Sequence, residues 1–541
     1  MNLDKLHYIY GLRTSSFYTD TEAELERKML QARNLHAKIN ERIKNGSYKK
    51  PHTQMVKFLI KADSKYKTKL KAEIDSNMNL VRTVRPEALS IWHQISIFDS
   101  ALTRYFGLRE RELNTEIVVV EVFFFGVAEN IIKNGFIMNG RRYVFFSASA
   151  GQIRTKKFVA VREDLLKANW NTLTAGLTVE KINELGGINV NKYLAYLALC
   201  NSATTVWEDF DIDRCIVIDD FENMVNTMVD FVDDKTYEIT RQTMDVPIPQ
   251  TDGCGMMLPS VSKRNFMVRC PWIKGLLSSF DFVKFINDNN CIPIIKDVYG
   301  DEHNIIEENI QVIFTKSQFK CWKYYKNWRE YKDNFKKYNC TAGICNEEEA
   351  YVPRSKITYQ MLQTLYDMTD DELRTIASDS YNEIHDVCND MQTMLKILGA
   401  TDTNQNIIGF QKCLRDYPEL LSDSHTRETL KDIKNSLETD LWSGKLKMDC
   451  KYTFVVPDLY AACEYWFLHI KDPKGILQDG EVSCRLYPHN SELDCLRSPH
   501  LYIEHSIQNN VVNGTTREWF RTDAIYASCH SAISKILQFD K

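Results

Sequence analysis

The sequence predicts an α+β protein: a helical N-terminal lobe, then two β-rich regions joined by an α-helical connector. Three observations predict it. Apolar residues recur near helical period early in the chain, at Leu25, Met29, Leu35 and Ile39. Runs of β-branched and aromatic residues dominate from Ile117, between Asp213 and Tyr338, and again from Tyr452. Between the last two lies a stretch from Ile357 to about Leu446 with helical periodicity and many acidic residues.

The elements follow in order. Thr21-x-x-Glu24 has the form of a capping box, so a helix is expected to start there, with a basic outer face from Arg27 to Lys50. That face reads either as a solvated helix surface or as a nucleic-acid-facing lobe. Ile117 to Phe125 reads as a buried strand, Ile131 to Gly135 as a turn, Arg141 to Ser149 as a second strand, and Val190 to Cys200 as a helix. Short strands are expected at Arg214–Ile218, Phe266–Val268, Ile292–Ile295 and Ile310–Phe314, with a tight turn at Asp252-Gly253-Cys254-Gly255. That pattern is compatible with a small barrel. Helices are expected at Thr369–Ala377 and Tyr381–Leu398. Further strands are expected at Tyr452–Val456, Glu481–Leu486, Leu501–Glu504 and Asp523–Tyr526. The resulting division is 1–110, 111–210, 211–345, 346–450 and 451–541.

Composition bounds the function. A chain of 541 residues allows several domains or one large multi-lobed enzyme. With 44% apolar and 26% charged residues, disordered and fibrous classes are excluded. The longest apolar stretch, Ile117 to Ala128, is interrupted by Glu121 and is too short to span a bilayer. Met1-Asn2-Leu3-Asp4-Lys5 lacks the features of a signal peptide, so a soluble intracellular protein is expected. The 15 cysteines are odd in number and irregularly spaced, with no Cys-x-x-Cys, and read as reduced thiols. Cys321, Cys340 and Cys345 would need further ligands to hold zinc. The net charge of −5 means that any nucleic-acid binding is local.

The segment Phe314 to Tyr338 interleaves Lys316, Lys320, Lys323, Lys326 and Arg329 with Phe319, Trp322, Tyr324, Tyr325, Trp328 and Tyr331. Cations neutralise phosphates and aromatic faces stack bases. An amphipathic helix with buried aromatics and solvated lysines is the other reading. Arg269 to Gly275 places a Lys-Gly pair on a loop entering an apolar strand, where a phosphate can approach the backbone. Arg497-Ser498-Pro499 puts a guanidinium fork at a rigid turn.

Seven segments in order resemble the single-chain, two-barrel RNA polymerases. That group comprises the cellular RNA-dependent RNA polymerases of RNA silencing and the single-subunit enzymes of bacteriophages and prophages. Tyr143 to Arg154 is similar to the family's aromatic-x-x-Ser-x-Ser-Gln-hydrophobic-Arg strand, with extra residues before Gln152. Lys192-Tyr193 followed by Ser202-Ala203-Thr204 looks like its Lys-Tyr helix. Asp252 to Gly255 resembles its Asp-Gly-x-Gly turn, and Arg269 to Gly275 its Arg-x-x-x-x-Lys-Gly loop. Thr315 to Lys320 resembles the strand that follows. Val455-Val456-Pro457-Asp458, Gly475-Ile476-Leu477 and Gly480-Glu481-Val482 together look like the opening of the second barrel. Leu496 to Leu501 resembles its Arg-Asn-Pro turn, with Ser498 where Asn is usual.

The resemblance implies two double-psi β-barrels and a template-directed RNA polymerase. It implies Mg²⁺, nucleoside triphosphates, a nucleic-acid template and an RNA product, with no membrane partner. It implies catalytic roles for Lys274, Lys320 and Asp540, with Asp540 also a metal ligand. Arg269 and Arg497 would bind substrate, and Lys316, Lys323, Lys326 and Arg329 would bind nucleic acid. The phage-type, DNA-templated member is the first expectation, in the cytoplasm of a bacterial host. The RNA-templated silencing type is the alternative. The family's Asp-x-Asp-Gly-Asp motif does not occur in full: Phe539-Asp540-Lys541 stands where it would begin. The second barrel is therefore expected to be incomplete and this chain alone inactive, with the remaining carboxylates supplied in cis or by a separate chain. A catalytically inactive nucleic-acid-binding protein is the reading from another class.

Overall fold

Thr19 starts the first helix, Asp20–Lys44, through a capping box: its hydroxyl accepts the N–H of Glu22, whose carboxylate accepts the N–H of Thr19 at 2.9 Å. The box lies two residues before the expected one. Glu24 bonds instead to Arg27 at 2.7 Å on the helix surface, while Glu22 is drawn inward by Arg82. A second helix, Thr53–Ser76, packs back along the first: Arg33 pairs with Asp63 and Asn77 bonds to Glu22.

The computed structural model describes residues 5–45, 53–363, 365–402, 404, 407–497, 505–533 and 535. They divide into two units. One comprises Met1–Asp219, Phe266–Leu277 and Ile295–Glu347; the other comprises Asp220–Asn265, Ser278–Ile294 and Glu348–Lys541.

The first unit contains a seven-stranded sheet in the order Arg82–Thr83, Phe136–Met138, Arg141–Ser147, Lys157–Arg162, Leu113–Glu121, Leu6–Arg13 and Gln94–Phe98. Its apolar face packs Leu12, Val118, Val120, Phe136, Phe158 and Ala160 with helical residues including Leu70 and Ile131. The strand expected over Ile117 to Phe125 ends at Glu121. Past it, the N–H groups of Phe123 and Phe124 both donate to Thr14 Oγ1, at 3.0 and 3.2 Å, which takes the chain off the ladder. A helix, Phe125–Asn134, follows where a turn was expected, and only its end turns. Gly135, at φ +66°, caps it, and a Cβ there would lie 2.5 Å from the Tyr143 carbonyl oxygen.

Within the same unit, Thr205–Val206, Gly343–Glu347, Phe266–Cys270 and Ile273–Ser279 pair antiparallel in that order. Val312–Thr315 runs parallel to Cys215–Ile218.

The second unit carries a long antiparallel ribbon, Glu222–Val232 with Ile239–Pro249. Its connector helices are Asp370–Asp386, Met391–Ile397, Gly409–Asp416 and Ser424–Trp442, around Val387, Leu395, Leu398, Leu414 and Leu430. The single helix expected over Tyr381 to Leu398 is two. Asp390 stands between them and caps the second by accepting the Thr393 N–H at 2.7 Å. A mixed five-stranded sheet orders Val455–Pro457, Ile525–Ala527, Glu481–Cys484, Ser506–Asn510 and Glu492–Cys495. The strand expected at Leu501 to Glu504 lies outside the described residues. The α+β class holds, and the described sheets are open, with no barrel closure seen among them. Among the described residues no helix is long and apolar enough to cross a membrane.

Arg82 and Glu22 are both fully buried and meet through two hydrogen bonds, at 2.6 and 3.0 Å. Arg82 also donates to Asn130 Oδ1 and the Phe17 carbonyl. Burial alone pushes Glu22 upward; the bonds from Arg82, Asn77 and Thr19 outweigh it and hold the carboxyl below its usual range. Arg82→Met removes one partner and leaves a buried charge, so a loss of about 3–5 kcal/mol is expected in urea denaturation.

His303 sits between two carboxylates, Asp297 at 3.3 Å and Glu308 at 2.9 Å. The bond to Asp297 raises the imidazole above its ordinary value, against burial. Burial pushes Asp297 up, but His303 and the N–H groups of Tyr299 and Asp301 together hold it below the carboxylate range. The histidine's contribution is full below about pH 6.5 and lost as pH rises through its elevated folded value. The aspartate's is present above about pH 4 and lost as pH falls. Comparing thermal melts at pH 5.5 and pH 8.5, His303→Gln is expected to lower Tm more at pH 5.5.

Candidate phosphate-binding site

Phe266–Cys270 and Ile273–Ser279 form a hairpin joined by the two residues Pro271 and Trp272, with Trp272 in the left-handed region at φ +63°. Its register makes Arg269 and Lys274 direct cross-strand partners, so the two cations lie side by side on one face. The Arg-x-x-x-x-Lys spacing thus becomes a contact through a two-residue turn. Like charges directly opposite are destabilising, and an anion between them relieves that cost. The next element of the sequence pattern lies alongside. Ile273 bridges Phe319; the Lys274 N–H donates to the Gln318 carbonyl at 3.1 Å, and the Lys320 N–H to the Trp272 carbonyl at 2.9 Å. Ile273 and Phe319 are fully buried, and the alternation of side chains puts Lys274 and Lys320, both half-buried, on the opposite face. Arg269 donates from Nη1 to its neighbour's carbonyl, Val268 O, at 2.8 Å, and its Nε is buried without a hydrogen-bond partner. It borders a small cavity with Tyr105, Thr172 and Thr341. A guanidinium left partly unsatisfied beside a lysine is a donor set for an anion.

Most aromatic residues of Phe314 to Tyr338 are buried rather than offered as a stacking platform. Phe319, Tyr324, Tyr325, Trp328, Tyr331 and Phe335 are buried. Trp328 stacks on Tyr331 with ring centroids 5.0 Å apart, and Phe319 meets Tyr331 edge-on at 4.7 Å. Their polar ends are satisfied inside: Tyr331 Oη donates to the Pro271 carbonyl, Trp328 Nε1 to Cys215 and Tyr325 Oη to Thr174. Of the two readings of this segment, the amphipathic one, with its aromatics in the core, holds for these rings. The helix Trp328–Lys337 is amphipathic, and burying the rings gains more than leaving them in water. They support the turn that carries Arg269 and Lys274.

The cations of the segment remain outside. Lys323 and Lys326, before the helix, and Arg329, in its first turn, are exposed, Arg329 within 3.8 Å of Asp333. Lys316 is half-buried and pairs with Asp219 at 2.8 Å. Arg497 is half-buried just past the strand Glu492–Cys495 and belongs to the second unit. Asp540 lies outside the described residues. Among the described residues no group of three or more His, Cys, Asp or Glu side chains is arranged to hold a metal ion.

In the second unit the segments around Asp458 and Gly475 meet at one carboxylate. Asp458 is fully buried and accepts four backbone N–H groups. Oδ1 takes those of Tyr460 and Ala461, capping the helix Leu459–Phe467; Oδ2 takes those of Ile476 and Leu477 at 2.7 and 3.1 Å. Burial raises its pKa, and the four donors work against that. Sequence reasoning gave Asp458 no role. The visible signal was an N-cap, Pro-Asp before an apolar helix; the second half of the clasp, eighteen residues on, had none.

Residues 95–265 match the family model described as RNA dependent RNA polymerase. Over 541 residues the chain is 47% identical to DNA-directed RNA polymerase YonO of Bacillus phage SPbeta. The chain is similar to this phage protein along nearly its whole length. The match covers 99% of the chain and 63% of the phage protein, so the chain spans less than two thirds of that relative. Among the segments that carry the resemblance, Tyr143 to Arg154, Lys192 to Thr204 and Asp252 to Gly255 fall within the family match. Arg269, Lys274, Lys320 and Arg497 lie beyond it, in the part aligned with the phage protein.

Gly475 sits at φ +60°, and a Cβ there would lie 2.6 Å from Asp458 Oδ2. Gly475→Ala is expected to destabilise by about 2–4 kcal/mol in chemical denaturation, through left-handed strain and the broken clasp. Ala461→Gly, in the adjoining helix, is expected to cost only about 1 kcal/mol.

Proposed function

We propose that this chain takes part in template-directed RNA synthesis on DNA. The observation that carries the proposal is the 47% identity, along 99% of the chain, to a protein named as a phage DNA-directed RNA polymerase. The two double-psi barrels that the resemblance implies belong to the proposal.

In the reaction, a 3′-hydroxyl attacks the α-phosphate of a nucleoside triphosphate; the new O–P bond forms as the bond to pyrophosphate breaks. Negative charge grows on the phosphate oxygens. Lys274, with Lys320, would neutralise it, and Arg269 would assist by holding an oxygen with its remaining donors. Arg497 would orient the incoming nucleotide through its planar fork. Lys316, Lys323, Lys326 and Arg329 would hold backbone phosphates along the strand path. The Mg²⁺ of the family belongs with its carboxylate motif, of which this sequence holds Asp540 alone. The remaining carboxylates would come from a further segment, in cis or on a separate chain.

A second reading is RNA-templated synthesis, favoured by the description of the family model matched at 95–265. One experiment addresses both. The chain is supplied with the remaining segment of the phage relative, four ribonucleotides and Mg²⁺, on single-stranded DNA and on RNA of the same sequence. RNA product on DNA is expected, with little from the 541-residue chain alone. Product on RNA but not DNA selects the second reading. Nucleic-acid binding with no product on either template leaves an inactive binding protein and overturns the proposal. Lys274→Ala is expected to lower incorporation about 100-fold or more; Lys323→Ala is expected to weaken template binding and its salt dependence instead.

A further inference from the structure

Four cations and three exposed apolar side chains lie where three chain segments meet at one end of the strands Leu6–Arg13, Leu113–Glu121 and Lys157–Arg162. Phe123 and Phe125 are 56% and 76% exposed, although they belong to the most apolar run in the sequence. Leaving the ladder at Glu121 is what exposes them. Arg13, on the neighbouring strand, lies over the Phe123 ring at 5.2 Å from its centroid. The segment from Ile153 to Lys157 runs beside them: Glu121 pairs with Lys157, and the Val122 N–H donates to the Lys156 carbonyl at 2.8 Å. Ile153 is 47% exposed, and Arg154, Lys156 and Lys157 are all exposed.

This second segment is held in place. Ser149 and Gln152 form a reciprocal capping box, at 2.8 and 3.2 Å, that fixes the short helix Ala150–Arg154. Lys156 follows at φ +56°, a left-handed position that glycine fills with least strain. A lysine there presents a cation where the local backbone favours no side chain. The facing acid is Glu121, which lies 3.5 Å from Arg13.

We propose that this ledge binds single-stranded nucleic acid. Open aromatic faces stack unpaired bases, and Arg13, Arg154, Lys156 and Lys157 match the backbone phosphates in charge. Paired bases offer no free face to Phe123 or Phe125, so the occupant is a single strand, the incoming template. The inference rests on the polymerase reading and adds a binding surface distinct from the Lys274 hairpin.

Fluorescence anisotropy of the whole 541-residue chain with a labelled single-stranded oligonucleotide, over a range of salt concentrations, tests it. Phe123→Ala/Phe125→Ala is expected to weaken binding about tenfold or more, with the slope against log salt unchanged. Arg154→Gln/Lys156→Gln/Lys157→Gln is expected to reduce that slope by about 0.7 for each charge removed. Phe123→Tyr/Phe125→Tyr is expected to bind as the parent. Photo-crosslinking of an iodouridine-containing strand to the unsubstituted chain should label residues within 121–125 or 153–157, a readout that does not depend on how the variants fold. If the chain binds single strands but neither set of substitutions matters and the crosslinks fall elsewhere, the ledge is refuted and the polymerase reading stands. If the chain binds no nucleic acid even at low salt, both fall. Binding to anionic vesicles without binding to strands also overturns the proposal.

Discussion

A buried aromatic cluster carries the candidate site. Tyr331 lies at its centre, stacked on Trp328 and edge-on to Phe319, and its hydroxyl reaches the carbonyl of Pro271 in the hairpin turn. That turn sets the register in which Arg269 faces Lys274. Two like charges held side by side resist closure of the hairpin, and packing beneath them supplies what their repulsion removes. The basic and aromatic residues that alternate along one stretch of sequence therefore separate in space. Rings go inward to hold the turn, and cations stay outward where phosphate can reach them.

The second unit has a comparable constraint in Asp458. A carboxylate removed from water needs donors, and four backbone N–H groups supply them. Two belong to the helix that Asp458 caps; two belong to the segment after Gly475, which approaches closely because it has no Cβ. The clasp is purely structural in its chemistry: the carboxylate oxygens are occupied by protein donors and buried from solvent.

The similarity to the phage protein and the matched family region are one line behind the proposed function, and the paired cations of the hairpin are another. The two lines are independent. One is carried by identity along the chain, the other by the register of a single hairpin in this structure. The exposed ledge at Phe123 and Phe125 adds a third kind of surface, aromatic as well as basic.

By itself the sequence determined what is local. Helices and strands fell near their expected places where period and capping acted over a few residues, and the Arg269–Lys274 pair was latent in a spacing that one short turn converts to contact. The Ser149–Gln152 pair was likewise written into a motif. Boundaries moved where a distant partner competed: Glu22 left the helix surface for Arg82, and Thr14 ended the strand at Glu121. The tertiary structure alone decided which aromatic residues are buried. The rings of Phe319, Tyr324, Tyr325, Trp328, Tyr331 and Phe335 are covered, while Phe123 and Phe125, in a more apolar run, are not. Burial depends on what other segments of the chain lay over a residue, and neither composition nor periodicity records that.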